Sequence, residues 1–123
     1  MKNNIFSAMH ALRHKVSYYC DEPYSYETLR LVDTEETKPT KEEIEAKIAE
    51  LDLAEPMKLL REERDKMLLD TDWTQMNDIP ADTKAKWATY RQQLRDLPAT
   101  ADPKLKSNYD LDMTSVTWPT KPT

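Results

Sequence analysis

Few residues in this chain have types and spacings that could do chemistry. His10 and His14 stand four apart, so a helix would present both imidazoles on one face, where they could offer themselves to zinc. The helical zinc motif places a glutamate beside its first histidine; here that position is Ala11. Asp70, Asp72 and Asp78 could be grouped for a divalent cation or for proton transfer. Aspartate is also the ordinary residue of helix ends and turns, and nothing beside these three supplies a nucleophile or an oxyanion donor. Local capping is the preferred reading. No catalytic, cofactor-binding or metal-ligating residue is assigned, and no cofactor is expected.

Composition removes further classes. The sequence contains no glycine, and P-loops, dinucleotide fingerprints, nucleophile elbows and EF-hand loops all need one for close backbone approach or a sharp turn. Cys20 is the single cysteine, which excludes an internal disulfide and a multi-cysteine zinc site. It reads as a small buried hydrophobe in a strand. The formal charge of −5 disfavours non-specific nucleic-acid binding. The charge is unevenly spread, however. Met1 to Cys20 carries Lys2, Arg13 and Lys15 and no acidic residue, which leaves a nucleic-acid or host-factor binding module as the alternative reading. No stretch approaches the ~20 apolar residues of a membrane span, and no apolar run is long enough for a signal peptide. A cytoplasmic origin is expected.

The elements that must position these residues can be read in order. Asn3 or Asn4 caps a short helix over Ile5–Arg13 with Ile5, Met9 and Leu12 on one face. Lys15–Cys20 and Tyr26–Val32 have strand composition and flank the loop Asp21–Ser25, so they predict an antiparallel hairpin. Thr40 with Glu43 forms a capping box that opens a helix over Lys41–Ala54. Pro56 then either starts a new helix or kinks a continuous one; Met57, Leu60, Arg64, Met67 and Leu68 continue the helical spacing to about Leu69. Asp82 is expected to cap a last helix that carries Trp87, Tyr90, Arg91 and Leu94 and stops before Pro98. Met113–Trp118 has strand propensity and could pair with a hairpin edge.

The expected fold is α+β and predominantly helical, with an N-terminal helix and β-hairpin, a helical hairpin and an extended C-terminal tail. Its segments are 1–37, a helical module at 38–98, and a tail at 99–123 with a short strand at 113–118. The densest information lies between Arg64 and Pro98, where Trp73, Trp87 and Tyr90 accompany two amphipathic runs. Those rings are expected to pack between two antiparallel helices rather than to stack bases, because aspartates offset the neighbouring Lys and Arg. Arg91 or Arg95 is expected to bridge the helices to Asp65, Asp70 or Asp72. Tyr18, Tyr24, Tyr26 and Trp118 are candidate partner-binding residues, since aromatic side chains are favoured interface anchors.

The same stretch resembles a bacteriophage family, the tail assembly chaperone-like and tail-fibre-associated proteins. The resemblance rests on Arg64, Leu68, Leu69, Thr71, Asp72, Trp73, Thr74 and Gln75, then Asp78 and Pro80, then Trp87, Tyr90, Arg91, Gln92, Leu94, Arg95, Asp96, Leu97 and Pro98. Lys38-Pro39-Thr40 with Glu43-Ile44, and the late Trp118-Pro119, are similar in outline. The resemblance implies a non-enzymatic protein of tail assembly, or a small virion component. It would bind a tail, tail-fibre or baseplate protein and reside in the host cytoplasm during assembly or in the virion tail. Self-association as a homo-oligomer is compatible with it; a membrane and nucleic acid are not expected partners.

Overall fold

The computed structural model describes residues 2–123 and divides them into two compact units, Met1–Ala54 and Glu55–Thr123. Helices predominate, and two small antiparallel sheets make the fold α+β.

In the N-terminal unit, helix α1 runs over Ile5–Leu12. Asn4 is its cap: Oδ1 accepts from the backbone N–H of Phe6 (3.0 Å) and Ser7 (3.2 Å), while Ser7 Oγ accepts from the Asn4 N–H at 3.3 Å. Three backbone donors at the helix start are thereby satisfied, reciprocally between Asn4 and Ser7. Strands β1 (Ser17–Cys20) and β2 (Leu29–Val32) pair antiparallel, with Tyr18 opposite Leu31 and Cys20 opposite Leu29. Both strands are shorter than their sequence implies. Tyr26–Thr28 is a 3-10 turn rather than strand, because Thr28 folds back: its Oγ1 lies 2.7 Å from the Asp21 carbonyl and 3.0 Å from that of Ser25. Ile5, Ala8, Met9, Leu29 and Ile44 form the core of this unit.

Helix α2 spans Lys41–Asp70 without interruption, and Pro56 lies inside it. The new-helix alternative is thus removed: apolar residues at helical spacing on both sides hold the chain helical through the proline. Thr40 caps its start, with Oγ1 accepting from the Glu43 N–H at 3.1 Å, which is one half of the expected capping box.

In the C-terminal unit, helix α3 covers Ala81–Asp96. Pro80, not Asp82, occupies its cap position; Asp82 sits in the first turn, where its charge complements the helix dipole. Leu60 and Leu97 are buried together with Val116, and Met57, Ala101, Leu111 and Trp118 pack against them. Leu60 meets Leu97, and Leu68 meets Arg91 (below), so the second part of α2 and α3 run as an antiparallel helical hairpin.

The segment after Ala99 is mostly extended and anchored. Strands β3 (Lys104–Leu105) and β4 (Leu111–Asp112) make a second small antiparallel sheet. The expected strand at 113–118 is absent: Met113–Ser115 is a 3-10 turn capped by Asp112. The Asp112 carboxylate accepts from both Oγ1 (2.7 Å) and N–H (3.0 Å) of Thr114, which competes with ladder pairing. Those bonds, side chain first, hold the Asp112 carboxyl below the usual carboxylate range. A carboxyl whose folded pKa is depressed contributes stability above its unfolded pKa and loses it as pH falls through the folded value. Asp112→Asn should therefore lose less stability than the parent between pH 5 and pH 2 (both pH values are about those bracketing the transition). Urea midpoints at a series of pH values test this; parallel pH profiles for the two proteins would refute it.

The loop of this second hairpin shows what a chain without glycine must do. Lys106 N–H donates to the Asp110 carbonyl (2.8 Å) and Tyr109 N–H to the Lys106 carbonyl (2.9 Å), leaving Ser107-Asn108-Tyr109 as the turn. Tyr109 has φ of 67°, the left-handed position that such loops usually give to glycine. An L-residue there costs ~1–2 kcal/mol, against the ~0.5–1 kcal/mol of extra chain entropy that glycine loses on folding. Tyr109→Gly should raise stability by about 0.5 kcal/mol, read as a higher urea midpoint. A lower midpoint would mean that the tyrosine ring itself holds the hairpin.

Candidate interaction surfaces

The end of α2 lacks the glycine that commonly closes a helix, and a threonine and an arginine take over its last carbonyls. Thr71 Oγ1 lies 3.0 Å from the Met67 carbonyl and 3.1 Å from that of Leu68. Arg91, on α3, is only 8% exposed. Its Nη1 donates to the Leu68 carbonyl (2.6 Å) and to Thr71 Oγ1 (2.8 Å), and its Nη2 to Asp72 Oδ1 (2.8 Å). Of the pairings that the sequence allowed, the structure makes Arg91–Asp72. The network continues. Thr74 Oγ1 donates to the Thr71 carbonyl at 2.6 Å, and Gln75 Nε2 donates to Thr74 Oγ1 (3.1 Å) and to the Lys84 carbonyl of α3 (3.2 Å). Thr71 and Thr74 are both buried; the sequence marks them only through the family resemblance, although a Thr-x-x-Thr pair at a glycine-free helix end is a signal for this bracing.

The aromatic residues divide. Trp87 stands edge-on to Tyr90 with ring centroids 5.7 Å apart, and Trp73 lies 6.0 Å from Trp87. Tyr90 is buried, and burial pushes its phenol pKa up. Leu94, four residues further along α3, is fully buried. Trp73, by contrast, is 52% exposed, so it is not wedged between helices as expected; it closes the aromatic row from outside. Leu69 (71%) and Met76 (58%) are exposed in the same stretch. Arg64 pairs with its neighbour Asp65 at 2.9 Å, Arg95 is exposed, and Asp96 accepts from Gln92 at 2.9 Å.

The N-terminal unit holds an open cavity of about 550 Å³ with Ile5, Ile44 and Ile48 among its lining, Tyr24 and Tyr26 in its wall and Lys41 at its edge. Of the four candidate partner-binding aromatics, Tyr24 is 50% exposed and stands 5.8 Å from the Phe6 ring. Its φ of 58° is left-handed backbone that the loop must hold in place. Tyr26 is tied inward: its hydroxyl donates to the Pro39 carbonyl at 2.7 Å, and Lys38 Nζ lies 4.0 Å over its ring. Tyr18 packs on the N-terminal core, and Trp118 packs on the C-terminal core with its indole N–H on the Met113 carbonyl at 3.1 Å.

The other chemical candidates are separated or engaged. His14 lies beyond the end of α1, so the two histidines do not share a helix face, and no group of three or more His, Cys, Asp or Glu able to hold a metal ion occurs among the described residues. Cys20 is half-buried, with Sγ 3.2 Å from Thr28 Oγ1. Arg13, part of the basic segment, turns to its own chain: Nη1 donates to the Leu12 carbonyl (3.0 Å), Nη2 to that of Thr37 (3.4 Å), and Nε lies 3.2 Å from Glu36. No helix among the described residues is long and apolar enough to cross a membrane.

A family described as phage tail assembly chaperone protein matches residues 57–123, more than half of the 123-residue chain. The chain belongs to this family. Tail assembly is the role that membership carries. The match is nearly coextensive with the C-terminal unit and takes in the whole Arg91 network, so the second part of α2, α3 and the Val116 anchor lie within the family match. The N-terminal unit lies outside the match. No curated protein and no solved structure matches the chain.

Proposed function

We propose that this tail assembly chaperone acts without catalysis, by holding a tail, tail-fibre or baseplate protein in the host cytoplasm while the tail is built. The observation that carries this reading is the family match over a unit braced internally by one buried polar network. Arg91, Thr71, Thr74 and Gln75 all bond within the chain, and Leu69, Trp73 and Met76 are left exposed among the charged residues of the surface. That arrangement suits a rigid binding body. The β1–β2 hairpin supports a second contact by strand addition, because among the described residues each strand pairs only with the other and both keep an open edge.

Mixing the full-length chain with purified tail, fibre and baseplate proteins of its own phage should give a complex that survives gel filtration. Failure to bind any of them would overturn the proposal. Mass spectrometry of purified particles then separates the two modes of action: stoichiometric copies mean a resident component, and absence means release after assembly.

A further inference from the structure

The end of α2, the connector after it and the first residues of α3 combine two properties. From Leu69 to Asp82 the chain carries Asp70, Asp72, Asp78 and Asp82 and no Lys or Arg. The same stretch exposes Leu69, Trp73 and Met76. Of the four carboxylates only Asp72 has an ion-pair partner among the described residues, Arg91; Asp70, Asp78 and Asp82 are exposed and unpaired. The backbone beneath is braced by Thr71, Thr74 and Gln75, so the apolar side chains are presented on an ordered surface, with little ordering left to lose on binding.

We propose that the Leu69–Asp82 stretch, from the last residues of α2 to the first of α3, is the docking surface for a cationic segment of the tail protein, one whose apolar or aromatic anchors are flanked by Lys or Arg. This rests on the reading above that the chain binds a tail protein. The apolar side chains receive the anchors: a half-exposed tryptophan can take a cation over its ring face, and methionine adapts to irregular partners. The unpaired aspartates select the sign of the flanking charge and speed encounter. A second copy of this chain fits poorly, because its formal charge of −5 opposes approach to an acidic surface and its own Arg13 is already engaged.

The test uses the full-length chain and two variants that leave the Arg91 network untouched, Leu69→Ser/Met76→Ser and Asp70→Asn/Asp78→Asn/Asp82→Asn, with circular dichroism as a check on folding. Binding of the captured tail protein should weaken by at least about tenfold in each variant, and added salt should weaken the parent but hardly the triple-Asn protein. Equal capture by parent and both variants would overturn this inference and leave the proposed function standing. If the parent captures no tail protein, a synthetic Leu/Lys amphipathic peptide and its Leu/Glu counterpart decide the matter. Preference for the lysine form, with a tryptophan fluorescence change lost in Trp73→Phe, supports the surface; no preference overturns it. Loss of parental self-association in the variants would also overturn it, since the occupant would then be a second copy.

Discussion

Arg91→Met should destabilise the C-terminal unit by about 3 kcal/mol, because hydrogen bonds from a charged donor contribute ~1.5–3 kcal/mol each and the methionine keeps only the apolar stem. The Leu68 carbonyl and Thr71 hydroxyl lose their shared donor in a place where Arg91 itself is nearly inaccessible. Asp72→Asn should cost under about 1 kcal/mol, since that carboxylate is half exposed and solvent screens the pair. Urea unfolding followed by tryptophan fluorescence gives both values. If Arg91→Met costs no more than Asp72→Asn, the bracing role assigned to the guanidinium is wrong and the ion pair is all it does.

Removing residues 113–123 should have a comparable effect. Val116 is 7% exposed in the core with Leu60 and Leu97, and Trp118 packs against the same core. Full burial of one large apolar side chain is worth ~1.5–3 kcal/mol, and Trp118 is only half-buried, so the truncated chain should lose about 3–4 kcal/mol. Leu60 would be opened to water in it. Thermal unfolding of the chain ending at Asp112 makes the comparison; a melting temperature equal to that of the whole chain would show that the final segment is not part of the core.

The contrast between these regions shows where sequence is readable. Local devices are legible. Asn4 and Thr40 cap helices because their side chains reach amides two or three residues ahead, and the spacing Met57-Leu60-Arg64-Met67-Leu68 marks a half-buried face on α2 around the fully buried Leu60. Arg91 was legible as a bridge, although its choice of Asp72 over Asp65 or Asp70 depends on where the chain turns after Leu68. Competition between local and distant partners is not legible. Met113–Trp118 has β composition, but Asp112 bonds to Thr114 first and turns the segment into a 3-10 turn. Pro56 was undecidable for a similar reason: a ring that removes one helical donor is tolerated or not according to the packing on either side. Trp73 looked like core by its spacing and is half exposed, because the helix ends before it and its residues no longer repeat at 3.6.

Three residues with side chains, Tyr24, Asp33 and Tyr109, occupy left-handed backbone in a chain that has no glycine at all. Each is strained in the native form, yet the same composition narrows the set of shapes open to the denatured polymer, which therefore gives up less freedom when it folds. The molecule has moved part of its thermodynamic burden from disorder before folding to tension after it, at three turns whose positions are known.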